Sequence, residues 1–117
     1  MLALLAVMCT TSIARAQLIN VTYAGKFSGE MTKKAIAADS ILIVKQPGIE
    51  VISFQMNHFG PYMDAVELKS DNNKITDKMR KEFKHLRHDD LLFFIYIKAR
   101  NQNGDTLWAD PLKFKIK

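Results

Sequence analysis

The sequence predicts a mainly β fold, a β-sandwich with one short α-helix packed on the sheet; a compact α+β domain is the alternative. Three observations predict it. Short stretches rich in β-branched and aromatic residues recur along the chain. Turn signals separate them, and the apolar period becomes clearly helical in one stretch. No internal repeat, low-complexity segment or linker divides the chain after its first residues.

Residues 1–16, MLALLAVMCTTSIARA, read as a secretory signal peptide. An apolar run is followed by Ala14-Arg15-Ala16, and signal peptidase admits only small side chains at the first and third positions before its cut. Cleavage is expected between Ala16 and Gln17. No basic residue precedes the run, a departure from the usual pattern. An N-terminal anchor is the alternative, but the run from Leu2 to Ile13 is well short of the roughly 20 residues that span a bilayer. Lipidation at Cys9 is disfavoured by the bulky Met8 before it. The expected product is a single domain, 17–117, periplasmic or secreted, with no transmembrane anchor after cleavage.

Within that domain Leu18–Tyr23 is the expected first strand, and Thr32–Ala38 has room for one or two helical turns. Ile41–Val44 is a short apolar strand closed by the turn signal Gln46-Pro47-Gly48. Val51–Met56 alternates weakly, and Ala65–Lys69 is a strand with Val66 and Leu68 on one face. Between Lys74 and Leu86 the period changes. Met79, Phe83 and Leu86 share one helical face, and Thr76 is a good N-cap because its hydroxyl can accept from a free N–H of the first turn. Asp77 complements the positive end of the helix dipole; Lys84, His85 and Arg87 complement the negative end.

Leu91–Arg100, LLFFIYIKAR, is the clearest strand. Strict alternation puts Leu91, Phe93, Ile95, Ile97 and Ala99 on one apolar face. Leu92, Phe94, Tyr96, Lys98 and Arg100 then share the other, which turns from apolar to charged. Phe83 is therefore expected against Phe93 and Ile95. Asn103-Gly104, within Asn101–Asp105, supplies the positive φ of a tight hairpin turn. The return strand ends in Leu112, Phe114 and Ile116, and Pro111 requires an edge or a bulge because it lacks a donor.

The chain carries a net charge of +5, reduced by one if Arg15 leaves with the leader. Its lysines are spread out, and Lys113, Lys115 and Lys117 alternate with apolar residues like a solvated strand face. Attraction to acidic surfaces follows from the charge; nucleic-acid binding does not. The single cysteine lies in the leader, which excludes a disulfide framework, a thiolate nucleophile and a thiolate metal site in the mature chain.

Several segments, in order, resemble a known family. They are Gly25-Lys26-Phe27-Ser28-Gly29-Glu30-Met31-Thr32-Lys33-Lys34, Ile41-Leu42-Ile43, Val51-Ile52-Ser53-Phe54 and the helix opened by Thr76-x-x-Met79. Ile97-Lys98-Ala99-Arg100, the Asn103-Gly104 turn and Leu112-x-Phe114-x-Ile116 complete the set. The order and spacing resemble the C-terminal domain of the gliding-motility protein GldM. That resemblance implies an immunoglobulin-like sandwich at the tip of a periplasmic shaft in the gliding and type IX secretion machinery. Its implied partners are envelope proteins, including outer-membrane-associated components, and not nucleic acid. A second copy of the chain is a further candidate partner.

The expected function is therefore an exported, non-enzymatic protein-interaction module with no cofactor. Its candidate contact residues are His58, Phe59 and Tyr62, in a loop around Gly60-Pro61, and Tyr96 and Trp108, which could flank one another across the hairpin. One alternative is a small hydrolase or metal-binding protein using His85, His88 and Asp89. Those histidines lack the Glu of an H-E-x-x-H motif, and a helix C-terminus favours them without a metal. The other is a carbohydrate-binding module using Trp108, Tyr96 or Tyr62. No nucleophile elbow, Gly-rich phosphate loop or patterned acid pair is present, so no catalytic residue and no metal ligand is assigned.

Overall fold

A computed structural model describes residues 18–62 and 64–117. The expected leader and its cleavage point lie outside the described residues. No helix among the described residues is long and apolar enough to cross a membrane.

The fold is mainly β with two short helices. The strands are β1 (Leu18–Ile19), β2 (Val21–Tyr23), β3 (Ser28–Met31), β4 (Leu42–Val44), β5 (Glu50–Phe59), β6 (Val66–Ser70), β7 (Leu91–Arg100), β8 (Thr106–Ala109) and β9 (Leu112–Ile116). Helix α1 spans Lys33–Ala38 and helix α2 spans Asp77–Phe83. The stretch given one or two helical turns thus forms a helix of its own, opened by Thr32, whose hydroxyl accepts from Ala35 N at 3.0 Å. Thr76 does the same for α2, accepting from Met79 N at 3.2 Å. Helix α2 ends before Leu86 because the chain tightens. Lys84, His85 and Leu86 donate to carbonyls only three residues back.

The large sheet is built on the β5–β7 antiparallel pair, flanked by β6 on one side. On the other side β7 pairs with β8 along its C-terminal half and with β9 along its N-terminal half. These are one return strand interrupted at Asp110-Pro111, as the missing proline donor requires. β1 adds to β8 and β3 adds to β9, both parallel. β2 and β4 form a separate antiparallel pair. The hairpin turn forms at Asn101–Asp105, with Gly104 at φ +83 and its N–H donating to Asn101 O.

The core lies on one face of the large sheet. Leu92, Phe94, Phe114, Ile116, Met31, Phe54 and Met56 come from that sheet, and Tyr23 and Leu42 from the small one. Ile36, Met79, Phe83 and Leu86 come from the helical segments. Phe94 is the hub, with ring centroids 5.0 Å from Tyr23 and 5.7 Å from Phe54. The Tyr23 hydroxyl shares its proton between Ile36 O at 2.6 Å and Asp39 O at 2.9 Å, so carbonyls left open at the end of α1 gain a partner. Burial pushes the Tyr23 phenol well above its ordinary range; Asp39 adds to the rise and Arg80 opposes it.

Strict alternation along β7 is corrected. Leu92 and Phe94 face the core, but so do Ile97 and Ala99. The reason is a β-bulge. Between the pairs Gln55↔Ile95 and Ser53↔Lys98, β7 carries one residue more than β5. Tyr96, at φ +50, is that residue. Phe93 and Ile95 therefore lie on the outer face, and Phe83 packs on the side of Leu92 and Phe94.

Candidate functional site

Both helices contribute to the core, and among the described residues no helix lies on the other face of the large sheet. The registers place its side chains. Phe59 pairs with Leu91, Asn57 with Phe93, Gln55 with Ile95, and Ser53 with Lys98. Lys98 is opposite Trp108, and Arg100 is opposite Thr106. Lys113 is opposite Phe93, and Lys115 is opposite Leu91. Glu67 and Lys69 on β6 extend the same rows.

This face combines aromatic rings with cations. Tyr96 is 66% exposed, Trp108 52% and Phe59 38%, while Phe93 is half-buried. Phe59 and Phe93 meet edge to face at 5.5 Å. Lys98 Nζ lies 5.9 Å from the Trp108 ring centre, and Lys113 Nζ lies 5.8 Å from that of Phe93. Lys69, Lys98, Arg100, Lys113 and Lys115 outnumber Glu30, Glu50 and Glu67 on these rows. Flat apolar rings beside flexible ammonium groups suit a ligand with stacked planar groups and regularly spaced negative charge.

The bulge contributes directly. A tyrosine in the left-handed region is strained, and such residues cluster where the strain serves a site. Here it adds a ring to the open face without removing an apolar residue from the core.

A second feature lies beyond the end of β5. A cleft of about 720 Å³ is lined by Lys33, Gly60, Tyr62, Glu82, Lys84, His85, Arg87, His88 and Asp90, among others. Lys33 Nζ donates to Lys84 O at 2.6 Å and ties the start of α1 to the end of α2. Glu82 and Asp90 also hold His58. Its Nδ1 is 2.5 Å from Glu82 Oε2, and its Nε2 is 2.7 Å from Asp90 Oδ2. Carboxylates only accept, so both bonds require either an imidazolium or a carboxyl that keeps its proton. Asp90 Oδ2 also accepts from Arg87 N at 3.0 Å, while the buried Oδ1 has no partner among the described residues.

The candidate residues separate accordingly. His58 and Phe59 lie in β5 rather than in a loop. His58 is fully buried, so it is corrected from a contact residue to a packing one. Phe59, Tyr96 and Trp108 are all exposed but spread along the open face, Phe59 opposite Leu91 at one end of β7 and Trp108 opposite Lys98 at the other. Tyr62 lies outside it, 98% exposed at the cleft. Trp108 is opposite Lys98, not Tyr96. His85 and His88 are exposed beyond the end of α2. His88 approaches Asp89 at 3.5 Å, but among the described residues no three His, Cys, Asp or Glu side chains gather around a common metal position.

The fold and this face define a β-rich module with one packed face and one open, aromatic and basic face. The chain belongs to the family described as the β-barrel of the intron-binding protein aquarius, whose family model matches residues 23–114. No curated protein matches it.

Membership in this family overturns the resemblance to the GldM C-terminal domain. The envelope interaction function, the gliding and type IX secretion roles and the envelope partners fall with it. The periplasmic or secreted placement is corrected too, because the protein naming the family is described as binding introns, which are processed inside cells. The exclusion of nucleic acid falls for the same reason. The segments behind the resemblance were a capped helix, an Asn-Gly hairpin and alternating terminal residues. Any β-rich domain with these elements needs them, so they fix geometry and not ancestry.

Proposed function

We propose that this domain binds single-stranded RNA on the open face of its large sheet and catalyses no reaction. The observation that carries the proposal is the placement of Phe59, Phe93, Tyr96 and Trp108 among Lys98, Arg100, Lys113 and Lys115 on a face that no helix among the described residues covers. Unpaired bases can stack on such rings, whereas a duplex hides its base faces. The lysines answer the phosphates. The family description, that of an intron-binding protein, favours RNA as the ligand.

The chain has one tryptophan, so its fluorescence reports on this face alone. Titration with single-stranded RNA octamers should quench Trp108, and affinity should fall steeply with salt. Tyr96→Ala and Trp108→Ala should each weaken binding by about 1–3 kcal/mol, the worth of a base–aromatic stack. Lys81→Ala, on the exposed side of α2, should leave binding unchanged. Binding that survives both aromatic substitutions overturns the proposal.

A further inference from the structure

The open face holds a feature that stacking and charge neutralisation leave unused. Gln55 and Asn57 stand in its centre, on the rungs of Ile95 and Phe93. They are 8% and 7% exposed, flanked across the strands by the apolar Ile95 and Phe93 and the charged Lys69 and Glu67. The two amides bond to each other, Gln55 Nε2 donating to Asn57 Oδ1 at 2.9 Å. That bond uses one amide nitrogen and one amide oxygen. Among the described residues the remaining oxygen and the remaining nitrogen take no other partner within the protein. Neither is sealed from solvent, since Asp90 Oδ1 alone among the described side-chain atoms is both sealed and unpartnered.

We infer that Gln55 and Asn57 form a base-reading subsite, in which one nucleobase resting beside Phe59 and Phe93 hydrogen-bonds through its edge to the free amide oxygen and the free amide nitrogen. This rests on the RNA-binding reading above. The chemistry does not depend on how the amides are oriented. If both are flipped, the mutual bond persists in reverse, and the pair still offers one acceptor and one donor. Every nucleobase carries neighbouring donors and acceptors on its edge, and Asn and Gln are the side chains that meet both at once. Buried amides also discriminate. A base that fails to satisfy them leaves desolvated polar atoms unpaired, which penalises the wrong ligand. Lys113, opposite Phe93 in register, is placed to take the adjoining phosphate.

The test uses the whole chain with fluorescein-labelled octamers of A, C and U, read by anisotropy, for wild type and for Gln55→Leu/Asn57→Leu. The double variant removes both amides together, so neither is left unpaired, and its thermal melt reports folding. Wild type should prefer one octamer by about 5- to 150-fold, equivalent to about 1–3 kcal/mol. The variant should bind all three with the affinity wild type shows for its weakest. Equal wild-type affinities for the three octamers, or an equal loss for all three in the variant, overturn the subsite while leaving RNA binding intact. No binding to any octamer overturns the RNA reading and this inference with it. Should the double variant melt early, Gln55→Met alone must reduce the preference, and an unchanged preference overturns the subsite.

Discussion

The buried His58 cluster allows a sharp stability test. His58→Ala removes the sole side-chain donor to Asp90 Oδ2 among the described residues and the ring facing Glu82 Oε2. The two carboxylates fare differently. The Glu82 side chain is 14% exposed and can turn toward water in the cleft, whereas that of Asp90 is 2% exposed and keeps only Arg87 N. Removing one partner from a buried polar cluster of this kind costs about 3–5 kcal/mol, because the remaining group stays buried and unsatisfied. With an ordinary urea dependence of about 2 kcal/mol per molar, the midpoint should fall by roughly 2 M. Replacing the whole cluster should behave differently. His58→Leu/Glu82→Leu/Asp90→Asn keeps the acceptor for Arg87 N and leaves no unpaired charge, so it should recover most of the loss. Urea melts of the three proteins decide it. A loss under about 1 kcal/mol in His58→Ala, or a triple variant no better than the single, would refute the buried cluster.

Two further outcomes follow from the core. Tyr23→Phe leaves Ile36 O and Asp39 O without the hydroxyl and should cost about 1–3 kcal/mol at neutral pH. Because the folded phenol titrates above its ordinary 10.0, the hydroxyl's contribution is complete below pH 10 and drains away as pH rises beyond it. The gap between wild type and Tyr23→Phe in melts from pH 8 to 11.5 should therefore close at the alkaline end. Phe83→Ala, at a site 2% exposed, should cost about 3–5 kcal/mol through lost burial and a residual cavity. Lys81→Ala, exposed on the same helix, should change stability by less than about 0.5 kcal/mol, and equal urea midpoints for the two would dismiss the packing of α2.

Elements were more legible in the sequence than faces, and faces more than sites. Thr76, Met79 and Phe83 announced α2 because capping and a 3.6-residue period are local signals. Thr32 does the same for α1, but in a helix so short that a single residue, Ile36, is buried, and one apolar position carries no period. The faces of β7 failed beyond Ile95, because a bulge changes the count without a Gly or Pro to mark it. His58 looked like a loop residue because Gly60-Pro61 follows it closely. Its partners lie 24 and 32 residues away, and no spacing motif links them. The basic face is not legible strand by strand, where Lys98, Lys113 and Lys115 read only as solvated positions. The sheet places Lys98 beside Trp108 and Lys113 beside Phe93, and only that register turns scattered charge into a surface.

The bulge at Tyr96 has a counterpart that makes its role testable. β7 gains one residue between Ile95 and Lys98, and β5 gains one between Val51 and Ser53. The two irregularities cancel, so the pair Glu50↔Arg100 closes in register. Remove Tyr96 on paper and β7 alternates without fault: Leu92, Phe94, Ile97 and Ala99 inward, Phe93, Ile95, Lys98 and Arg100 outward. Remove Ile52 and β5 does the same. Tyr96 is therefore an insertion that the core does not need, held at a strained positive φ. Deleting either residue alone shifts the remainder of the β5–β7 pair by one, which turns a buried set toward solvent. Deleting both restores the register between them. On the other edge of β7 the surplus residue falls at Asp110-Pro111, where pairing is already interrupted. The double deletion should thus be more stable than either single deletion, by about 1 kcal/mol or more in urea melts. It should also bind RNA octamers more weakly than wild type, since the most exposed ring of the open face is gone. A double deletion less stable than both singles would show that the bulges are not a compensating pair. One that binds RNA as wild type does would show that the strained tyrosine is not there for the ligand.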